Sequence, residues 1–174
     1  MDTPLHPRLE SWTQPPAAQA DACVHQVRME FPAFSENVGF GRTAVAMFAS
    51  RLDFTLDELE ELKIAVSEAL SNCVLHAYPN QVGWIRVFMH IENGELVVAV
   101  VDDGVGIHDL EKMREAGVTT RPEDCMGLGF TFMAEYTDQL EVESAPGRGT
   151  RVVMRKRPAA AQSSPQTRSE PDET

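Results

Sequence analysis

At 174 residues with a formal net charge of −12, the chain has the length of one domain with a full core and is short for two. So acidic a surface lacks the basic footprint that nucleic acids and anionic membranes require, and a basic or locally polarised protein partner fits it better. Three cysteines without CxxC spacing indicate neither a disulfide framework nor a zinc site and suit a reducing cytoplasm, and the apolar runs fall far below the roughly 18 residues of a membrane span.

Residues 1–23, with Pro4, Pro7, Pro15 and Pro16, show no sustained periodicity and no signal-peptide core, which predicts a flexible extension. From Val24 to Phe31 apolar and polar residues roughly alternate as in a half-buried strand, which Pro32 ends. Ser35 is placed to cap a helix whose apolar positions Val38, Ala44, Val45, Phe48, Ala49 and Leu52 recur at helical spacing up to Asp53. Thr55 and Glu58 have the spacing of a capping box, predicting a second helix with the stripe Leu59, Leu62, Val66, Ala69, Leu70, Cys73 and Ala77, closed by Pro79.

Trp84–Ile91 and Glu95–Val101 are β-rich runs joined through Asn93-Gly94, a strong hairpin signal, and are expected as central strands. The polar stretch from Asp103 to Met126 is long for a mere connection. A helix is then expected from Gly127 to Glu135, a strand from Leu140 to Glu143, a turn at Ala145–Gly149 and a last strand from Thr150 to Arg155. Residues 24–157 thus read as one α+β two-layer sandwich, with a mixed, mostly antiparallel sheet and helices on one face, and 158–174 as a disordered tail.

Three polar elements stand out along this framework. Glu68 and Asn72 lie four apart on the second helix and so share a face, with His76 at the next turn, all bordering the apolar stripe as if at a pocket edge. An Asn oxygen is a neutral hard ligand suited to Mg²⁺, and a carboxylate one turn away can orient and deprotonate a hydroxyl or water. Asp102 ends an apolar strand, where a carboxylate is costly without a partner, and an exocyclic amine such as that of adenine would supply one. Gly104 and Gly106 let the following loop bend close, and Asp103 reads as solvated.

Gly127-Leu128-Gly129 opens a helix whose unpaired N–H groups suit a phosphate, with Thr119, Thr120 and Arg121 in the preceding loop able to close over it. Gly149-Thr150 opens the last strand and either flanks the base or finishes a turn. Each element alone has a bland reading as a solvated helix face, a strand-end turn or a tight loop. Their order is the argument, and the absence of GxxxxGK[ST] excludes the phosphate-loop solution.

On these residues the chain resembles the GHKL superfamily of ATP-binding domains over about residues 27–156, with Glu68/Asn72, Asp102-Asp103-Gly104-Val105-Gly106 and Gly127-Leu128-Gly129 in its N box and two glycine boxes. Met29–Asn37, Ala44–Phe48, Asp57-Glu58-Leu59, Val66–Ala69, Thr119–Glu123 and Gly127–Thr131 are similar to the anti-sigma F factors of spore-forming bacteria.

The resemblance implies a homodimer that inhibits a sporulation sigma factor of the F type and uses ATP and Mg²⁺ to phosphorylate a serine on an anti-anti-sigma partner. By the same resemblance Glu68 is the catalytic base, Asn72 the Mg²⁺ ligand, Asp102 the adenine reader and Arg42 a partner-binding arginine. One departure leaves alternatives open: the run Arg121–Gly127 lacks the Arg that the family places just before its second glycine box. A nucleotide-dependent sigma-binding module with little kinase activity, and a stress-response anti-sigma kinase with another sigma target, therefore stand beside the main reading.

Overall fold

A computed structural model of the protein describes residues 25–108 and 126–162. Its elements in chain order are β1 (Gln26–Pro32), α1 (Ser35–Ala49), α2 (Leu56–Asn72) with a π-helical last turn (Cys73–Ala77), β2 (Trp84–Glu92), β3 (Glu95–Asp102), α3 (Met126–Glu135), β4 (Gln139–Ser144), β5 (Thr150–Lys156) and the one-turn α4 (Ala159–Gln162). The expected N-terminal extension, residues 1–23, lies outside the described residues, as does all but 158–162 of the expected C-terminal tail.

The five strands form one sheet in the order β1-β2-β3-β5-β4, and each pairing is antiparallel. β3 and β4 run the same way, but β5 separates them, so the mixed character expected of the sheet does not reach the hydrogen-bond ladders. The β2–β3 hairpin turns through Asn93 (φ 52°) and Gly94 (φ 73°), both left-handed, as the tight two-residue turn between twisted strands requires.

At α1 the structure departs from the sequence expectation. The N-cap is Phe34, with extended backbone and no side-chain cap, while the Ser35 hydroxyl lies against Glu36 Oε2 at 3.1 Å. Asn37 ties the helix start down instead, its Nδ2 donating to the Pro32 carbonyl at 2.9 Å. The helix also stops at Ala49 rather than near Asp53, and the Ser50 hydroxyl bonds the Met47 carbonyl at 2.8 Å.

α2 has the expected capping box: Glu58 N donates to Thr55 Oγ1 at 3.2 Å and Thr55 N to Glu58 Oε2 at 2.7 Å. Past Asn72 the helix widens into the π turn, and Tyr78, held out of helical geometry ahead of Pro79, ends it (φ −130°, ψ 71°). The other Glu58 oxygen, Oε1, accepts from Ala159 N at 2.8 Å, which fastens the chain leaving β5 to the start of α2.

Helices α1, α2 and α3 cover one face of the sheet, where Val45, Phe48, Leu62, Val66, Leu70 and Met133 pack on Ile85, Val87, Val98, Val152 and Met154. Full burial of each such side chain stabilises the fold by about 1.5–3 kcal/mol. β3 is buried along Leu96–Asp102 on both faces, because Val97, Ala99 and Val153 form a second small cluster with Phe88 on the far side. The apolar run of β3 therefore marks the centre of the sheet and carries Asp102 to its end. Asp103, expected to be solvated, is half exposed and ion-paired with Arg86. Among the described residues no helix is long and apolar enough to cross a membrane.

Candidate functional site

The end of α2 with its π turn, the end of β3, the start of β5 and Phe130 of α3 line a small cleft that is open to solvent. Asn72, Cys73, His76, Asp102, Gly106 and Thr150 supply its polar lining, and Ala69, Val100, Ile107, Phe130 and Val152 are among its apolar walls. Four of the residues singled out in the sequence for their side chains, Asn72, His76, Asp102 and Thr150, thus converge on one cavity, from segments up to 78 positions apart in the chain.

Asp102 is 4 % exposed. Its Oδ1 accepts two backbone amides, Gly104 N at 2.9 Å and Thr150 N at 3.2 Å, and the Cys73 thiol donates to its Oδ2 at 3.5 Å. Burial pushes the Asp102 carboxyl above the ordinary aspartate range, against the pull of those three donors. The same burial, with the Asp102 charge beside it, pushes the Cys73 thiol well up, so that Cys73 is a donor at neutral pH. His76 is partly buried and its pKa is lowered by desolvation, which keeps the imidazole neutral there.

The loop after Asp102 is clamped on both sides. Val105 N donates to the Ala77 carbonyl at 2.9 Å, Gly147 N donates to the Val105 carbonyl at 2.7 Å, and Ile107 N donates to Ser144 Oγ at 2.8 Å. Ser144 Oγ in turn donates to the Gly149 carbonyl at 2.9 Å and lies 3.0 Å from Thr150 Oγ1. Gly149 has φ +76°, and a Cβ there would sit 2.0 Å from the Asp102 carbonyl oxygen, so no other residue fits between the turn and the strand end. Gly106 (φ +69°) packs in the same way on Ala145.

Glu68 lies one turn before Asn72 and is not among the residues that line the cleft; its carboxylate reaches α3 instead, where a Cβ on Gly129 would be 2.9 Å from Glu68 Oε2 and 3.7 Å from Asn72 Nδ2. Gly127 and Gly129 fall in the first turn of α3, which begins one residue earlier than expected, and Leu128 between them is exposed. N–H groups in a first turn have no partner within the helix and attract anions. Arg42 is exposed on α1, and its Nη1 donates to Ser67 Oγ at 3.4 Å, next in sequence to Glu68. Thr119, Thr120 and Arg121, and the Arg-lacking run as far as Cys125, lie outside the described residues.

Sequence reasoning missed Ser144 and the Cys73 contact. Ser144 is one more polar residue at a strand end, and Cys73 fits the apolar stripe of α2; nothing in their spacing signals either contact. The cleft itself is apolar with one buried acid, which suits a flat ring bearing an amine. Among the described residues no group of three His, Cys, Asp or Glu could cage a metal. A divalent cation would instead combine the Asn72 amide oxygen with water and the ligand's own anionic oxygens, a donor set that fits Mg²⁺.

Residues 31–156 match the histidine kinase-like ATPase domain family. The chain is 42 % identical over 134 residues to the anti-sigma F factor of Clostridium acetobutylicum, covering 76 % of this chain and 94 % of that protein. It is 44 % identical over 133 residues to the anti-sigma F factor of Caldanaerobacter subterraneus subsp. tengcongensis, covering 76 % and 93 %. In three dimensions it is similar to the RsbU and RsbW domains of a Mycobacterium tuberculosis protein, with a TM-score of 0.56, 16 % identity and coverage of 76 % of this chain and 32 % of that one, a likeness of fold.

Proposed function

The chain belongs to the anti-sigma F factors within the histidine kinase-like ATPase domain family, and from that premise we propose that it binds ATP with Mg²⁺ in the cleft, holds a sigma factor of the F type inactive as a homodimer, and phosphorylates a serine on an anti-anti-sigma partner. The observation that carries the nucleotide part is the convergence of Asn72, Asp102 and Thr150 on one apolar cavity, with Glu68 one turn before Asn72 and beside the first turn of α3.

In this reading Asp102 Oδ2 accepts the 6-amino group of adenine, and Val100, Val152 and Phe130 pack against the ring. Gly104 and Gly106 shape the loop over the base, and His76 stays neutral beside it. The first turn of α3, through Gly127, Leu128 and Gly129, receives the phosphates, with Thr119, Thr120 and Arg121 assigned to close over them. Asn72 would hold Mg²⁺, which supplies charge neutralisation on the phosphate oxygens. The serine hydroxyl attacks the γ-phosphorus in line as its proton passes to a Glu68 carboxylate oxygen, the new O–P bond forms and the bond to the ADP oxygen breaks. Arg42, on the same side as Ser67 and Glu68, is assigned to the protein partner.

Incubation with γ-labelled ATP, Mg²⁺ and a cognate anti-anti-sigma protein is expected to give one labelled phosphoserine, and sigma factor recovered with the protein from its host is expected to be of the F type. Tight ATP binding without any phosphoserine would favour the second reading, a nucleotide-set binding module, which the Arg-lacking run after Arg121 supports. Recovery of a different sigma factor would favour a stress-response kinase.

A further inference from the structure

Counting acceptors around Asp102 gives Cys73 a role that its place on an apolar stripe conceals. A carboxylate oxygen offers two lone pairs. Both of those on Oδ1 are taken, by the amides of Gly104 and Thr150, and the Cys73 thiol points at Oδ2 from 3.5 Å. We propose that Cys73 is a specificity-determining residue of this site: its S–H fills one of the two remaining acceptor positions of Asp102, so that the carboxylate presents a single open acceptor to the ligand in the cleft.

The consequence follows from the edges of the two purines. Adenine offers one N–H from its 6-amino group to a single acceptor. Guanine has a carbonyl at that position, and beside it two adjacent donors that ask for two free acceptors. With Oδ1 saturated and Oδ2 half occupied, Asp102 matches the first edge and not the second. The thiol suits this place because its body is apolar: Cys73 is 5 % exposed and lines the same cleft as Ala69, Val100 and Val152, while its one donor is spent on the acid. Removing the thiol frees an acceptor that water or a second donor can take, and the carboxylate loses one of the contacts that fix its rotamer.

The inference rests on the ATP-site reading, so its test has one arm free of nucleotide. In the nucleotide-free protein the S–H infrared stretch assigned to Cys73, by difference against Cys73→Ser, is expected at the lowered frequency of a bonded thiol and to rise in Asp102→Asn. A free-thiol frequency unchanged by Asp102→Asn overturns the inference whatever binds in the cleft. In the second arm, titration calorimetry with ATP and GTP is expected to show the ATP preference of the wild type falling about fivefold in Cys73→Ala, the range of one modest hydrogen bond, and returning in Cys73→Ser, which keeps a donor. An unchanged preference in Cys73→Ala overturns the inference while ATP binding by the wild type upholds the site; no binding of either nucleotide by the wild type overturns both.

Discussion

The carboxylate of Glu68 and the backbone of Gly129 share one space: Oε2 lies 2.9 Å from where a side chain on Gly129 would begin. Glycine at this point of α3 thus leaves room for the side-chain end of a neighbour 61 positions earlier, which a larger residue would displace. It lets the proposed base stand against the N-terminal turn that is proposed to receive phosphate.

Gly129→Ala is expected to push Glu68 aside and lower phosphotransfer on the order of 10- to 100-fold, with the thermal midpoint little changed because the displaced group is the end of a flexible, partly exposed side chain. Phosphoserine formation at saturating ATP, read with a melting curve, checks this. Equal loss of stability and rate would assign Gly129 to packing alone.

Glu68→Gln keeps the shape of the side chain and removes the basic oxygen. ATP affinity is expected to be retained while serine phosphorylation falls about 100-fold or more. Turnover at the wild-type rate would take Glu68 out of the reaction.

Asn72→Ala removes the one amide oxygen assigned to the cation. Calorimetry in the presence and absence of Mg²⁺ is expected to show metal-enhanced ATP binding in the wild type and loss of that enhancement in the variant. Equal affinity with and without metal in the wild type would remove the premise.

Asp102→Asn should erase the preference for ATP over GTP, since an amide placed at Oδ2 presents a donor where the adenine amine needs an acceptor. The same variant tests the buried charge. Because burial raises the folded-state pKa of Asp102, its contribution to stability is fully present below the unfolded aspartate pKa and is lost as pH rises through the folded value. The thermal midpoint of Asp102→Asn is therefore expected to gain on that of the wild type from acidic to neutral pH. A constant difference across that window would mean that the charge costs the fold nothing.

Gly149→Ala combines a left-handed backbone with a Cβ 2.0 Å from the Asp102 carbonyl, and is expected to cost at least about 1–3 kcal/mol and to weaken nucleotide binding with it. Urea unfolding at a fixed slope measures the first and calorimetry the second. A variant of native stability would show that the turn can move away from β3.

Much of the fold was legible because local chemistry and tertiary position agree in most elements. The Thr55/Glu58 box starts α2, Asn93-Gly94 turns the β2–β3 hairpin, and the unbroken apolar run of β3 lies buried on both faces. The α1 cap was misread because Ser35 satisfies the local rule, whereas Asn37 makes the contact to Pro32 that sets the helix. The π turn after Asn72 has no sequence signature, since one extra residue in a turn leaves the apolar stripe almost unchanged.

By itself the sequence determined which side chains are available for chemistry and on which element each one rides, because helical and strand periodicities dictate faces: Glu68 and Asn72 share one side of a helix, and Asp102 ends a buried strand. Only the tertiary structure decided that Asp102 is held by Cys73, Gly104 and Thr150, that Ser144 clamps the loop above it, and that Gly129 makes room for Glu68. Those contacts join segments far apart in the chain, and the distances between such segments are set by how the helices pack on the sheet, which no local pattern encodes.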